Sequence, residues 1–119
     1  MRIAMIGAGY VGLVSGACFA EFGVDVTVMD VDPAKIEGLR AGIMPIYEPG
    51  LDKLVAENAR DGRLTFTTDL SEAVRGADAV FLAVGTPTRR GDGHADLSYV
   101  YAAGEQVAKA AEGPLVMVT

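Results

Sequence analysis

A single cysteine and a single histidine are all the chain offers among the residues that most often bind metals or act as nucleophiles. One thiol excludes an internal disulfide, so a reducing compartment, and with it a cytoplasmic protein, is the simplest reading. One thiol and one imidazole also make a zinc site implausible. Positive charge is scarce too: 10 Lys and Arg stand against 16 Asp and Glu, for a net charge of -6. An electrostatic hold on nucleic acid or on anionic lipid is therefore not expected. No apolar run reaches the length of a membrane-spanning helix. One decoy sits at the start, where Met1 and Arg2 precede an apolar stretch and then Ser15, Gly16 and Ala17, the outline of a secretory signal. Glycines at 7, 9 and 12 interrupt that apolar core, so the segment is expected to stay in the fold.

What is present fits one compact α/β domain. The 119 residues are half hydrophobic, enough for a single core and not comfortably for two. Strands are expected at 2–6, 24–29, 64–67, 78–84 and 114–118, each short and apolar. Helices are expected at 11–22, 33–40, 50–60 and 97–111, with a short one starting near Asp69. Asp32 ahead of Pro33 forms a cap-and-first-turn pair, and Asp96 is placed to cap the helix at 97. Asp69 and Glu72 stand in capping-box spacing. Residues 41–49, with two prolines, read as an irregular connection, and 85–95 as a glycine-rich loop. Strands thus alternate with helices along the chain. The economical solution is a Rossmann-type, doubly wound, mainly parallel sheet with helices on both faces. The last strand stops at the chain terminus with no helix after it, which reads as a cut rather than a natural end.

The stretch MIGAGYVG, residues 5–12, carries the chemistry. A lone GxGxxG is weak in a chain with 15 glycines. Here it follows one expected strand, opens a helix, and is followed by a second strand ending in Asp30, eighteen residues beyond Gly12. That context defines a dinucleotide-binding fingerprint. Gly7 permits the tight turn, Gly9 lets a pyrophosphate approach the backbone, and Gly12 lets helix and strand pack closely. The N–H groups of Tyr10, Val11 and their neighbours would hold the phosphates, which is how an acidic protein binds an anionic cofactor. Asp30 would accept hydrogen bonds from the adenosine ribose and repel a 2′-phosphate, so NAD is favoured over NADP. Lys35 reads equally as a ribose contact and as a solvated helix lysine. Thr86 follows an apolar strand at its carboxyl end, where it is either a cofactor contact or a turn residue before Pro87.

No residue in the chain reads as catalytic. Cys18 lies mid-helix in an apolar stretch and is taken as inert packing. His94 sits in the Gly/Asp loop and reads as solvated. Tyr99 and Tyr101 read as core packing.

The stretches IGAGYVGLVSGACFAEFG (6–23), VMDVDPAKI (28–36), PIYEPGL (45–51), VGTPT (84–88) and ADLSYV (95–100) resemble, in order, the amino-terminal part of the UDP-glucose/GDP-mannose dehydrogenase family. The resemblance covers nearly the whole chain. It implies a cofactor-binding domain at residues 1–119, with the family's central helix and UDP-sugar domain lying outside it. It implies oxidation of the 6-hydroxymethyl of a sugar nucleotide to a carboxylate with two NAD+, through thiohemiacetal and thioester stages on a cysteine. By position, Tyr10, Val11, Asp30, Lys35 and Thr86 look like the family's cofactor contacts, and Tyr47 and Glu48 like residues that shape the site. The family's catalytic cysteine and lysine and most of its UDP-sugar site belong to later segments. Cys18 matches a helix cysteine of the family and not the nucleophile. Thr119 looks like the residue before a family motif, and has no role assigned. The resemblance also implies a homo-oligomer for the full-length protein. The sugar nucleotide stays open among UDP-glucose, GDP-mannose and UDP-N-acetylmannosamine. A stand-alone NAD(H)-sensing module without catalysis is the reading from a different class.

Overall fold

The computed structural model describes residues 1–84, 98–111 and 116–118. In chain order its elements are β1 (Arg2–Ile6), α1 (Tyr10–Glu21), β2 (Asp25–Met29), α2 (Pro33–Arg40), α3 (Leu51–Arg60), β3 (Leu64–Thr67), α4 (Leu70–Val74), β4 (Ala79–Leu82), α5 (Ser98–Ala110) and β5 (Val116–Val118). Every expected strand and helix with described residues is present, with ends shifted by a few residues. The largest difference is β4, which ends at Leu82 where the sequence suggested 84. The loop at 85–95, the Asp96 cap and the start of the last strand at 114 lie outside the described residues.

The strands form one parallel sheet in the order β3-β2-β1-β4-β5. The chain walks outward from β1 to β3, then returns to the other side of β1. Period-two alternation splits the core into two layers. Ile3 and Met5 of β1, with Val26 and Val28 of β2, pack on Leu13 and Ala17 of α1, Ile36 of α2 and Val55 of α3. Ala4 and Ile6, with Val80 and Leu82, face Val74 of α4 and Val107 of α5. The sheet is therefore doubly wound. Its direction reverses between β1 and β4, whose carboxyl ends open a crevice there.

Local signals explain the helix starts. Asp32 adopts extended backbone and its Oδ1 accepts from the N–H of Ala34 at 3.0 Å and of Lys35 at 3.4 Å, with Pro33 in the first turn. Asp69 caps α4 in the same way through Ser71 and Glu72. The capping box expected there is not closed. Glu72 accepts from the Thr67 hydroxyl at 3.1 Å, and Thr67 Oγ1 takes the Asp69 N–H that Glu72 would have taken. On edge strand β3, Arg40 donates to the Phe66 carbonyl oxygen from Nη2 at 2.6 Å and from Nε at 3.2 Å. That occupies an acceptor which a foreign strand could otherwise pair with.

The far end of α1 is tied down by a polar network. Asn58 is fully buried. Its Nδ2 donates to Glu21 Oε2 at 2.8 Å and to the Leu54 carbonyl at 2.9 Å, while its Oδ1 accepts from Arg63 Nε at 3.0 Å. Arg63 Nε also donates at 3.0 Å to the Ala20 carbonyl in the last turn of α1, which accepts the Gly23 N–H as well. Asn58→Ala strips these partners at once and is expected to lower unfolding stability by about 2–4 kcal/mol. Urea unfolding followed by circular dichroism checks this. A change within error would mean that water replaces the amide freely.

Candidate functional site: a dinucleotide cleft at the sheet reversal

The turn from β1 into α1 is shaped by its glycines. Gly7 has φ +115° and donates its N–H to the Met29 carbonyl at 2.7 Å. A Cβ on Gly7 would collide with the Ala83 carbonyl oxygen, and one on Gly12 with the carbonyl oxygen of Gly7 itself. Gly9 differs: a Cβ there would meet nothing within 4 Å, so its outer face is open to the crevice.

That opening faces an uncapped helix end. Gly9 is the N-cap of α1, no side chain caps it, and no acidic residue occupies its first turn. The first helical bond runs from the Leu13 N–H to the Gly9 carbonyl at 2.9 Å. The amides of Gly9, Tyr10, Val11 and Gly12 have no hydrogen-bond partner among the described residues. Aspartates cap α2 and α4; α3 also starts at a glycine without a side-chain cap, but Asp52 stands in its first turn and its Leu51 N–H is taken by the Glu48 carbonyl. Unpaired amides plus the positive end of the helix dipole suit an anion.

Asp30 stands at the carboxyl end of β2, and its side chain is 14% exposed. Its Oδ2 accepts from the Ala8 N–H at 2.9 Å and lies 3.6 Å from Lys35 Nζ; its Oδ1 accepts from the Asp32 N–H at 3.0 Å. The carboxylate therefore braces the glycine turn as well as facing the crevice. Oδ1 carries one protein hydrogen bond and keeps acceptor capacity for a hydroxyl. Lys35 is not the freely solvated lysine of one sequence reading: it is 29% exposed and paired with Asp30.

These parts line a cleft of about 780 Å³, within the usual range for a cofactor site. Gly7, Gly9, Tyr10 and Val11 line it together with Asp30 and Lys35. Leu70, Ala83, Ala102 and Gln106 also line it. Sequence reasoning missed this last group. It also missed Val31, which lines the cleft and is 80% exposed. An apolar residue left in the open directly after a strand-ending aspartate is the signal that was available for Val31.

Tyr10 stands at the mouth with its ring half exposed, and its hydroxyl donates to Glu48 Oε2 at 3.0 Å. That hydrogen bond, and next the negative charge of Glu48, raise the Tyr10 phenol above its ordinary pKa. Glu48 and Tyr47 line a second hollow of about 670 Å³ formed by residues 42–52.

Two sequence expectations need correction. Cys18 is exposed, not packed, because the sheet takes the Leu13, Gly16, Ala17 and Ala20 side of α1. It does not line the cleft. Tyr101 is 66% exposed instead of in the core, because Ala103 and Val107 supply the buried face of α5. Thr86 and His94, and the side chain of Tyr99, lie outside the described residues. Among the described residues no cluster of side chains could hold a metal ion, and no helix is long and apolar enough to cross a membrane.

The sheet order, the uncapped α1 and the braced aspartate define a dinucleotide-binding domain of the Rossmann type. Residues 1–119 match the family model described as the UDP-glucose/GDP-mannose dehydrogenase family, NAD binding domain, and the chain belongs to that family. The UDP-glucose 6-dehydrogenase of Rhizobium meliloti is 63% identical over 119 residues, which are 100% of this chain and 27% of that protein. The UDP-glucose 6-dehydrogenase TuaD of Bacillus subtilis is 51% identical over 98% of this chain and 25% of its own length. Among solved structures, a UDP-glucose dehydrogenase from Pyrobaculum islandicum superposes with a TM-score of 0.87 at 45% identity, over 92% of this chain and 25% of that one. A UDP-D-ManNAc dehydrogenase from Pyrococcus horikoshii gives 0.91 at 32% identity, over 98% and 27%. The chain thus spans about a quarter of the length of the curated relatives it matches.

Proposed function

We propose that these residues are the cofactor-binding part of an NAD-dependent UDP-glucose 6-dehydrogenase, which converts UDP-glucose, two NAD+ and water to UDP-glucuronate and two NADH. The observation that carries the cofactor role is the uncapped start of α1, whose free amides open onto the cleft beside Gly9. The 63% identity to a UDP-glucose 6-dehydrogenase supports the substrate.

The residues present fit the cofactor. The amides of Gly9 to Gly12 hold the pyrophosphate, with the open face of Gly9 giving it room. Asp30 accepts from the adenosine ribose while its other bonds keep the turn in place. Lys35, with its Nζ 3.6 Å from Asp30 Oδ2, helps hold that carboxylate in the lining of the cleft. Thr86 is a further contact by its place after β4. Bound here, NAD+ supplies the hydride acceptor. Among the described residues lining the cleft the ionisable side chains are those of Tyr10, Asp30 and Lys35, and none is placed as a nucleophile. The thiol, the general base and the sugar site are assigned to residues beyond these, in a longer cytoplasmic homo-oligomer.

Protein isolated from its source cell is expected to form two NADH per UDP-glucose, followed at 340 nm, and to turn over GDP-mannose and UDP-N-acetylmannosamine far more slowly. The 119-residue chain alone is expected to bind NAD+ and form no NADH. Preference for another sugar nucleotide would overturn the substrate. Turnover by the chain alone that vanishes in Cys18→Ser would overturn the assignment of the thiol elsewhere.

A further inference from the structure

The hydrogen bond between Tyr10 and Glu48 joins two parts of the chain 38 residues apart at the mouth of the cleft. Tyr10 is the first residue of α1, and its own amide is one of those left free for an anion. Its ring lines the cleft and is 55% exposed. Unrestrained, a tyrosine at such a place samples several rotamers, some of them across the adjacent amides.

Glu48 is well placed to prevent this. Its carbonyl accepts the Leu51 N–H at 3.0 Å, and Gly50 turns the chain into α3 with φ +82°. Leu51 and Val55 of α3 are buried in the same core layer as Leu13 and Ala17 of α1. The carboxylate is thus carried on a helix start whose distance from α1 is set by packing. The irregular stretch at 41–49 therefore presents one fixed acceptor to the glycine turn.

We propose that Glu48 is a positioning residue for cofactor binding: by holding the Tyr10 hydroxyl it draws the ring toward α3 and keeps the amides of Gly9 to Gly12 uncovered. The gain is preorganisation, since a side chain already fixed costs less entropy when the cofactor arrives. Glu48 touches no part of the cofactor in this account and acts only through Tyr10. The inference rests on the cofactor reading above.

The test is a double-mutant cycle on the full chain, read by titration calorimetry with NAD+. Glu48→Ala and Tyr10→Phe are each expected to raise Kd by roughly three- to tenfold, the size of one hydrogen bond. The double variant is expected to be no worse than either single one, because both remove the same contact. Glu48→Gln keeps an acceptor and is expected to restore binding to within about twofold. Thermal melts of all four variants are expected to match the parent, since both side chains are at the surface. Unchanged Kd in Glu48→Ala, effects that add in the double variant, or failure of Glu48→Gln to rescue would each overturn the proposal. Asp30→Ala run alongside separates the two levels. If it weakens binding while Glu48→Ala does not, this inference fails and the cofactor reading stands. If the parent chain shows no saturable binding, both fail.

Discussion

Gly12→Ala is expected to lower the stability of the domain by about 3 kcal/mol or more, while Gly9→Ala leaves it within about 1 kcal/mol of the parent. The two positions belong to one motif, and the contrast follows from what surrounds each. A Cβ at Gly12 would enter the carbonyl oxygen of Gly7, and the Ala83 Cβ lies 3.3 Å away on the other side. The obstacle is backbone, so neither helix nor strand can yield without breaking the α1–β1 contact. A Cβ at Gly9 meets nothing within 4 Å, and φ −78° is open to any residue. Its cost falls on the cofactor instead. A methyl group in the space above the free amides is expected to weaken NAD+ binding by about 1–3 kcal/mol, roughly 5- to 150-fold in Kd. Urea unfolding and titration calorimetry on both variants separate the effects. Equal destabilisation by both would mean that Gly9 is a packing glycine and that the turn was not built for a ligand.

Asp30→Ala is expected to weaken NAD+ binding by roughly 10- to 150-fold, the range for losing hydrogen bonds to a charged group. It is also expected to narrow or abolish the preference over NADP+. Beyond the ribose contact proposed for it, Asp30 also braces the glycine turn. Its removal frees the Ala8 N–H and leaves Lys35 without its partner. A freed amide and an unpaired ammonium both favour a 2′-phosphate, which the carboxylate had repelled. The two affinities should therefore move in opposite senses, and their ratio is the sensitive quantity. Asp30→Asn should fall between, since its oxygen can still brace Ala8 while the negative charge is gone. Unchanged isotherms for both cofactors would remove Asp30 from the site.

Much of this was legible in the residues, and the reasons differ by element. Leu64–Thr67 has the bounds expected of β3, because a turn at Asp61-Gly62 and the capping aspartate at 69 fence it on both sides. Asp32 and Pro33 announced α2, since cap and first-turn residue act over three positions. The glycine motif was legible because its chemistry is local. What escaped were contacts made across the fold. Asp30 bracing Ala8 spans 22 residues, and Tyr10 reaching Glu48 spans 38. Neither follows from spacing along the chain. Cys18 was misplaced for another reason. The helix YVGLVSGACFAE is apolar almost all round, so composition does not say which side meets the sheet. Small residues decide it: Gly16 lets α1 approach Val28, where a Cβ would come within 3.2 Å. Glu72 was paired with the wrong donor because Thr67, just before the cap, offers its hydroxyl first.

On the cofactor reading, the free amides at the start of α1 receive the pyrophosphate of NAD+. The most direct measurement is an amide-resolved NMR titration of the 119-residue chain with NAD+. Saturable shifts are expected to concentrate at Gly9, Tyr10, Val11 and Gly12, with a second group at Asp30 to Lys35, and far weaker changes with NADP+. Shifts scattered elsewhere, or none at the start of α1 at saturating NAD+, would contradict that reading.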